Sequence, residues 1–363
     1  MNDLEKARKI INEVDSQMAE LFEKRMEAAR LVAAYKKEHG LSILDSARER
    51  EVVKKNAEYI NDSEIKEYYI NFIENLMSIS RSYQTRLNEG MKVAYSGVEG
   101  AFAYIAAKKM FENAQLIAYP SFESAYEATQ NGQCDACVLP IENSFAGDVS
   151  TVMDLMFQGD LYVNQVIDLA VVHNLMSVEG ATKETIKQVV SHPQALSQCS
   201  SYISKNGYEQ QPYTNTALAA KLVKESNDIT LAAIASDETA NIFGLKILES
   251  GINESRNNTT RFGAFSRVQN DNTSKKKAMG DHFILVFTVK NEAGALAKTL
   301  DIIGAHGFNM RNLRSRPMKE LMWSYYFYIE ADGNINTDDG KDMLRELGAT
   351  CDRLKLVGTY KTN

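Results

Sequence analysis

The sequence lacks the features that mark several large classes of protein. Its 363 residues include only five prolines and four cysteines. No apolar run reaches the roughly 18 residues that a transmembrane helix requires, and the opening stretch Met1–Lys6 has no apolar core of a secretory signal. The net charge of −7 argues against general attraction to nucleic acid or an anionic membrane. We therefore expect any anionic ligand to be held by local clusters of arginine and lysine.

The cysteines are too few and too scattered for a metal site. Cys134 and Cys137 form one C-x-x-C pair, and no second pair completes a zinc site. Unpaired, reduced cysteines are typical of cytoplasmic proteins. We expect a cytoplasmic chain with no metal and no cofactor.

What the sequence does contain is three successive patterns, which predict a multidomain chain divided at residues 1–89, 90–269 and 281–363. Between residues 3 and 88 there is no proline and one glycine, Gly40. The apolar spacing there predicts helices up to Glu38, over 46–60 and over 63–87. The first would be about 50 Å long and needs a partner to pack on. A second copy of the chain would supply it.

The middle region alternates short apolar runs with amphipathic segments, which predicts a mostly parallel sheet covered by helices. The predicted strands cover 92–95, 115–119, 136–140, 187–190 and 230–235, and the helices cover 101–110, 122–130, 194–205 and 218–224.

A polar, lysine-bearing stretch over 270–280 reads as a linker. The remainder has the order β-α-β-β-α-β of the ferredoxin-like fold. Its predicted strands are 282–289, 308–316, 322–330 and 352–359, and its predicted helices are 294–305 and 338–347.

Charged residues interrupt the apolar stripe of the first predicted helix. Arg25 and Lys36 stand where apolar residues are expected, about three turns apart. Buried cations need anionic partners, either a ligand or the carboxylates of Asp45 and Glu49. Arg8 lies about 260° around the helix from Arg25, so it reaches such a pocket only from a second copy.

The other two predicted helices show similar exceptions. Ser80 and Gln84, one turn apart, continue an apolar stripe of the third helix, and Asp45, Arg48 and Glu49 share a face of the second. A bundle interior lined with such groups suits a small dicarboxylate.

With these residues, the segment over 4–86 resembles the all-helical class of chorismate mutases. The matching positions are Arg8, Arg25, Lys36, Asp45, Arg48, Glu49, Ser80 and Gln84. The resemblance implies a domain-swapped dimer that rearranges chorismate to prephenate by transition-state electrostatics, without nucleophile or metal.

The same resemblance implies a role for most of the matching residues. Arg25, Arg48 and the second copy's Arg8 would bind carboxylates. Lys36 and Gln84 would stabilise charge on the ether oxygen. Glu49 would hold the hydroxyl group of the substrate.

Three polar clusters follow apolar runs in the middle region. They are Pro140-Ile141-Glu142-Asn143-Ser144, Ser191-His192-Pro193-Gln194-Ala195-Leu196 and Thr259-Thr260-Arg261-Phe262. Strand ends that open helices are common anion sites. Two of these clusters also have an ordinary interpretation: His192 as a cap neighbour, and Thr259–Phe262 as a turn before a strand. The Gly97–Gly100 turn lacks the third glycine of a dinucleotide site, which excludes a nucleotide cofactor.

In this order the three clusters are specific, and residues 91–268 resemble prephenate dehydratases. The resemblance implies two lobes around a cleft, as in periplasmic solute-binding proteins. Thr260 would be the acid that assists hydroxide departure as carbon dioxide is lost, with Arg261 binding a carboxylate. Loss of the carboxylate supplies the electrons, so no general base is assigned. The residues expected to line the cleft are Glu142, Asn143, Ser144, His192, Gln194 and Phe262. Val98 and Ala101 replace the family's usual proline and small hydroxyl residue.

Residues 281–360 resemble ACT domains, which are small amino-acid sensors. The matching stretches are Asn291-Glu292-Ala293-Gly294-Ala295-Leu296 and Ser315-Arg316-Pro317. The resemblance implies paired domains that bind phenylalanine through the start of a helix. The regulatory residues would be Asn291, Gly294, Ala295, Leu296, Ser315 and Arg316. Arg314 replaces the family's usual acid, so a structural or retuned module is the alternative.

Three functions compete on this evidence. The first is a bifunctional enzyme of phenylalanine biosynthesis, a homodimer or homotetramer that takes chorismate and prephenate and senses phenylalanine. The second is a binding module that only captures a carboxylate ligand, because fold does not fix function. The third treats the helical segment as a dimerisation scaffold, which leaves its polar residues on apolar faces unexplained.

Overall fold

The computed structural model describes residues 2–255, 257–269, 281–318 and 324–361, and it divides after Met91 into two compact units. The predicted linker over 270–280 and the start of the strand predicted over 322–330 lie outside the described residues.

The first unit consists of helices α1 (Asp3–Glu38), α2 (Ser46–Ala57) and α3 (Lys66–Glu89). Asn2 and Glu5 form a reciprocal capping box at the start of α1. The third helix begins three residues later than predicted. Small side chains let α1 approach α3, and the buried apolar residues are Ala29, Ala33, Ile73 and Met77.

Helix α1 leaves its apolar stripe uncovered in the single chain. Leu21 is 63% exposed and Ile11 is 56% exposed. The stripe is continued by other large side chains, namely Val14, Met18 and Phe22. A contiguous apolar surface of this kind marks a protein interface.

The second unit begins with an α/β region. Its strands are β1 (Lys92–Ser96), β2 (Gln115–Tyr119), β3 (Ala136–Asn143), β4 (Gly147–Asp148), β5 (Tyr162–Ala170), β6 (Asn174–Ser177), β7 (Gln188–Ser191), β8 (Glu209–Pro212), β9 (Leu231–Ala235), β10 (Lys246–Glu249) and β11 (Thr259–Ser266). Its helices are α4 (Phe102–Met110), α5 (Phe122–Gln130), α6 (Ser150–Gln158), α7 (Pro193–Gln198), α8 (Ser200–Asn206), α9 (Thr216–Ser226) and α10 (Asp237–Phe243). The single helix predicted over 194–205 is two helices, because the backbone at Cys199 leaves the helical conformation.

Two sheets define two lobes. The first lobe (residues 92–170 and 259–268) has the strand order β5-β11-β3-β1-β2, with β4 beside β3. The second lobe (residues 171–258) has the order β10-β6-β9-β7-β8.

The expectation of mostly parallel sheets is wrong in part, because β11 runs antiparallel to both β3 and β5. The chain enters the second lobe after β5 and returns as β11 between those two strands. The sheets are therefore mixed, with parallel pairs beside β1 and β7.

The C-terminal domain (residues 281–361) follows the predicted β-α-β-β-α-β order. Its elements are β12 (Asp281–Thr288), α11 (Ala295–Ala305), β13 (Asn309–Pro317), β14 (Tyr325–Asp332), α12 (Asp338–Thr350) and β15 (Arg353–Lys361). The strand order β13-β14-β12-β15, antiparallel throughout, is that of the ferredoxin-like fold.

This sheet continues into the first lobe, because β15 pairs with β5 at Gly358 and Val163. A Cβ atom on Gly358 would lie 2.0 Å from the Val163 carbonyl oxygen, so only glycine permits this approach. Residues from both sides share one core, including Met153 and Met156 of α6 with Tyr326 of β14.

Across the described residues, no helix combines the length and apolar character needed to span a membrane.

Candidate active sites

In the helical unit, Arg25 lies half-buried against α3 with neutral partners. Its guanidinium donates to the Ser80 hydroxyl and, at 3.4 Å, to the Leu76 carbonyl. Ser80 is buried and donates to the same carbonyl at 2.9 Å. Burial lowers the pKa of Arg25 from its ordinary value. Within the described part of the chain, the cation is thus held by neutral groups.

Lys36 is also held by a neutral group, since its Nζ donates to the Ile43 carbonyl at 2.5 Å. The alternative that Arg25 and Lys36 pair with Asp45 and Glu49 is not what the structure shows. Asp45 instead caps α2, accepting from the Arg48 amide at 3.0 Å.

Two further groups face this region of the bundle. Glu49 pairs with Arg81, a residue that the apolar spacing did not single out because it lies off the stripe of α3. Gln84 is buried, and its Oε1 has no hydrogen-bond partner within the described ranges. An unpaired buried amide costs about 1–3 kcal/mol, which a polar ligand would recover.

Two predicted residues are not drawn into this cluster in one copy. Arg8 is exposed and lies about 25 Å along α1 from Arg25. Arg48 is exposed and pairs with Glu51 at 2.7 Å. One chain therefore brings together Arg25 and Ser80, places Lys36 and Gln84 further along the same two helices, and leaves Arg8 outside.

The second unit contains a cavity of about 570 Å³ between its two lobes. Among the residues that the sequence predicted, Asn143, His192, Gln194, Thr260 and Phe262 line it. The walls contain no arginine or lysine in the part of the chain that is described. The expectation that anions are held by local cations does not apply to this cavity.

The starts of several helices take the place of cations in these walls. Residues at the first turn of α4, α6 and α9 line the cavity, among them Phe102, Ser150 and Thr216. Helix N-termini present free amide groups and the positive end of the helix dipole, which attract anions. The cavity therefore suits an anionic, partly apolar ligand.

A β-bulge sets which side chains of the first lobe face the cavity. Thr260 and Phe262 lie on one face of β11, and Arg261 lies on the other. On β3 the register shifts so that Ile141 is the extra residue, which lets both Pro140 and Asn143 face the cavity.

The same alternation corrects the sequence-based expectation for Arg261, which does not reach the cavity. Its Nε lies 3.1 Å from Asp168, and its Nη1 lies 3.0 Å from the buried carboxylate of Glu330 on β14. Although burial lowers the pKa of Arg261, the charges of Glu330 and Asp168 raise it above its ordinary value. Arg261 fastens the strand of Thr260 to the C-terminal domain.

Two other residues expected in the cleft also lie elsewhere. Glu142 points away from the cavity and pairs with Arg314. Ser144 braces the loop, since its hydroxyl donates to the Asn257 carbonyl at 2.9 Å and accepts from the Thr259 amide at 2.9 Å.

The polarity of the Thr260 hydroxyl follows from the backbone around Asn143. The Oδ1 of Asn143 accepts from the amides of Phe145 and Ala146, so its Nδ2 must donate. That Nδ2 donates to Thr260 Oγ1 at 2.8 Å and to Asn258 Oδ1 at 2.9 Å. The Thr260 hydroxyl is therefore an acceptor on this side, and its own proton remains available to a ligand.

On the second lobe, His192 caps α7. Its Nδ1 accepts from the Gln194 amide at 3.2 Å, and burial lowers the pKa of His192. The ring is therefore a neutral cap in the wall rather than a cation for a carboxylate.

Several cavity residues were not predicted from the sequence. They are Ser96, Phe102, Phe122, Asp148, Ser150, His173, Gln198, Asn215 and Thr216. The Asn215 side chain caps α9 by accepting from the Leu218 amide at 2.7 Å, and its Asn-Thr dipeptide before an apolar helix was a usable signal. His173 and Gln198 gave no such signal, because His173 lies in a largely apolar stretch and Gln198 lies in an ordinary polar run between Ser197 and Ser201.

Arginines of the C-terminal domain reach the rim of this cavity. Arg314 lies 2.7 Å from Asp148, and Arg316 donates to Ser150 at 2.8 Å and lies 3.2 Å from Asp154. Burial raises the pKa of Asp148, while Arg314 opposes that shift. Arg314, which replaces the family's usual acid, thus has carboxylate partners in the first lobe.

The other predicted regulatory residues lie at the start of α11 and on β13. Gly294 is the N-cap of α11 with φ 82°, a conformation that favours glycine. Asn291 is exposed, Ala295 and Leu296 form the first turn, and Ser315 pairs with Phe327 across the sheet.

We expect Glu330→Ala to destabilise the second unit by about 3–5 kcal/mol, because it leaves Arg261 buried without its inner partner and removes the acceptor of the Tyr360 hydroxyl. Urea unfolding followed by circular dichroism measures the change. The matched control is Asp168→Ala, which removes the exposed partner of the same arginine and should cost no more than about 1 kcal/mol. Equal losses in the two variants would contradict this assignment.

The structure thus defines a chain with two polar sites, one in a helical bundle and one between two lobes. Residues 7–85 match the chorismate mutase type II family, and residues 93–270 match the prephenate dehydratase family.

Several named proteins are similar in sequence or structure to this chain. The bifunctional chorismate mutase/prephenate dehydratase of Neisseria gonorrhoeae is 28% identical over 365 residues, covering 98% of this chain and 96% of that protein. The arogenate dehydratase/prephenate dehydratase 2 of Arabidopsis thaliana is 31% identical over 282 residues, covering 74% of this chain and 72% of the plant protein. The crystal structure of prephenate dehydratase in complex with L-Phe from Arthrobacter aurescens is 25% identical with a TM-score of 0.68, and the match covers 75% of this chain and 90% of that chain.

The chain belongs to the family of bifunctional chorismate mutase/prephenate dehydratases.

Proposed function

We propose that the chain rearranges chorismate to prephenate in its helical unit and converts prephenate to phenylpyruvate in the cavity of its second unit. The observation that carries the proposal is that each matched family segment holds its own polar site. Neither site calls for a cofactor, because the first reaction is a rearrangement and the second is driven by aromaticity gained in the product.

For the mutase reaction, Arg25 and Lys36 supply the central cations. Both are held by neutral groups, so a dianionic ligand meets their full charge. Arg25 binds a carboxylate, and Lys36 with Gln84 stabilises the charge that grows on the ether oxygen. Preorganised groups of this kind favour the transition state because they need not reorganise during the reaction.

The mutase site is completed by a second copy of the chain. The uncovered stripe of α1 supports such pairing, and Arg8 lies too far from Arg25 on the same helix to serve the same ligand. In a homodimer, Arg8 of one copy and Arg48 of the other would close around the carboxylates, and Glu49 would hold the hydroxyl. Pairing of the C-terminal domains as well would give a homotetramer.

In the dehydratase cavity, Thr260 acts as the acid. Its oxygen is held by Asn143, and its proton is free to be donated to the departing hydroxyl of prephenate. The electrons come from the bond that releases carbon dioxide. The first turns of α4, α6 and α9 hold the substrate's carboxylates, and Phe262 covers its ring.

Phenylalanine would bind at the start of α11 and act on the cavity through β13. The complex of the Arthrobacter aurescens enzyme with L-Phe supports this choice of effector. Arg314 and Arg316 of β13 contact Asp148, Ser150 and Asp154. A movement of β13 would uncover a carboxylate at the rim of a site for a dianion, and such repulsion lowers affinity. A cytoplasmic location is consistent with four cysteines that form no disulfide.

A coupled assay on the purified full chain tests the proposal. We expect phenylpyruvate from chorismate and from prephenate, and a lower rate when phenylalanine is added. Product from prephenate alone would reduce the helical unit to a dimerisation scaffold. No product from either substrate would favour the ligand-binding alternative. An unchanged rate with phenylalanine would make the C-terminal domain structural.

A further inference from the structure

A chain of buried amides connects Thr260 to His173, which lines the same cavity. Because Asn258 accepts from Asn143 through Oδ1, its Nδ2 must donate, and it does so to Gln198 Oε1 at 3.0 Å. The same Oε1 lies 2.8 Å from His173 Nε2. An amide oxygen can accept two hydrogen bonds but cannot donate one, so His173 Nε2 must carry the proton.

The network therefore fixes the tautomer of His173 and leaves its Nδ1 with a lone pair. His173 is 2% exposed and lines the cavity, and no group in the described parts of the chain donates to Nδ1. Phe102, which also lines the cavity, packs edge-to-face on the ring at 5.9 Å. Burial lowers the pKa of His173, which keeps the ring neutral.

We propose that His173 Nδ1 accepts a hydrogen bond from the ring hydroxyl of the dehydratase substrate. This inference rests on the proposed function, in which prephenate occupies the cavity. At neutral pH the two carboxylates and the keto group of prephenate only accept hydrogen bonds, and the hydroxyl is its one donor. A buried acceptor without a hydrogen-bond partner is unfavourable, so the hydroxyl of prephenate is the donor that suits His173 Nδ1.

The contact gives the hydroxyl two defined partners. It donates to His173 and accepts from Thr260, whose proton the amide chain leaves free. Holding the hydroxyl in one rotation directs a lone pair of its oxygen at the acid, and such orientation favours proton transfer. As the C–O bond breaks, the proton from Thr260 converts the departing group to water, and solvent returns a proton to the Thr260 oxygen before the next turnover. His173 keeps its hydrogen bond to that water and gains no proton.

His173→Gln tests the contact in the full chain. The glutamine amide can still donate to Gln198 from the position of Nε2, but nothing replaces Nδ1. We expect the KM for prephenate to rise about tenfold, which is the size of one lost hydrogen bond. Phenylpyruvate lacks the ring hydroxyl, so its inhibition constant should not change. Urea unfolding of the same sample, followed by circular dichroism and unchanged from wild type, reports that the second unit is folded.

The possible outcomes separate this inference from the proposed function. A wild-type chain without dehydratase activity removes the proposed function itself. With an active wild type, an unchanged KM in His173→Gln, or an equal rise in KM and in the phenylpyruvate inhibition constant, overturns the hydroxyl contact. Should the second unit of His173→Gln fail to fold, His173→Asn carries the test. Its Oδ1 restores an acceptor near Nδ1, so we expect the KM for prephenate to stay within about threefold of wild type, and a tenfold rise overturns the proposal.

Discussion

Replacing Thr260 by alanine is expected to lower kcat for prephenate by about 100-fold or more and to leave chorismate mutase activity unchanged. The alanine removes a cavity hydroxyl whose oxygen accepts from Asn143, which leaves its own proton available to a ligand. A positioned general acid contributes about 10²–10⁴-fold to a rate. Because Thr260 is a weak acid, its contribution to the rate depends on where its hydroxyl is held. A water molecule that replaced the hydroxyl would not be held in that position. Steady-state rates with prephenate and with chorismate measure the two effects.

Two variants show whether the effect belongs to the hydroxyl. Thr260→Ser keeps the hydroxyl and should retain activity within about tenfold of wild type. Thr259→Ala removes a hydroxyl from the neighbouring residue, which does not line the cavity, and should leave kcat within about twofold because it removes no acid. Loss of both activities in a folded Thr260→Ala chain would show that the two sites are not independent.

The architecture was largely predictable because periodicity and turn residues carry it. The helical unit, the strand–helix alternation and the final β-α-β-β-α-β order each depend on local patterns. The family prediction is likewise confirmed by the matches over residues 7–85 and 93–270. The sheet of the first lobe was harder, because nothing local to β11 shows that it inserts antiparallel between β3 and β5.

A site residue could be predicted only where the local sequence indicates both its residue type and the direction in which its side chain points. Thr260 and Arg261 are adjacent in one motif, yet alternation along β11 sends one into the cavity and the other to Glu330. The motif identified both, and only the packing of β11 in the folded sheet settles which of its faces is inward. His173 could not be found from the sequence, because its tautomer is set by Gln198 and Asn258, which are distant in the chain.

Helix N-termini explain why the search for basic residues failed at the dehydratase cavity. Free backbone amides belong to no residue type, so composition does not reveal them. In the helical unit the opposite holds, because Arg25 and Lys36 supply the charge and break an apolar stripe. That difference reflects the scaffold: the first turns of a three-helix unit lie at its ends, whereas its substrate would bind between the helices.

Lys36→Ala is therefore expected to abolish most mutase activity, lowering kcat/KM for chorismate by about 10²–10³-fold, with dehydratase activity kept. The Lys36 ammonium donates to the neutral Ile43 carbonyl, so its charge is available to the ether oxygen in the transition state. The neighbouring Lys37 provides a matched control of equal charge: it is exposed and donates to the Asn88 carbonyl at 3.3 Å. Lys37→Ala should change kcat/KM by less than about threefold, since a screened surface charge contributes little. Similar losses in the two variants would point to net charge rather than to one placed cation, and an active Lys36→Ala chain would remove Lys36 from the mutase site.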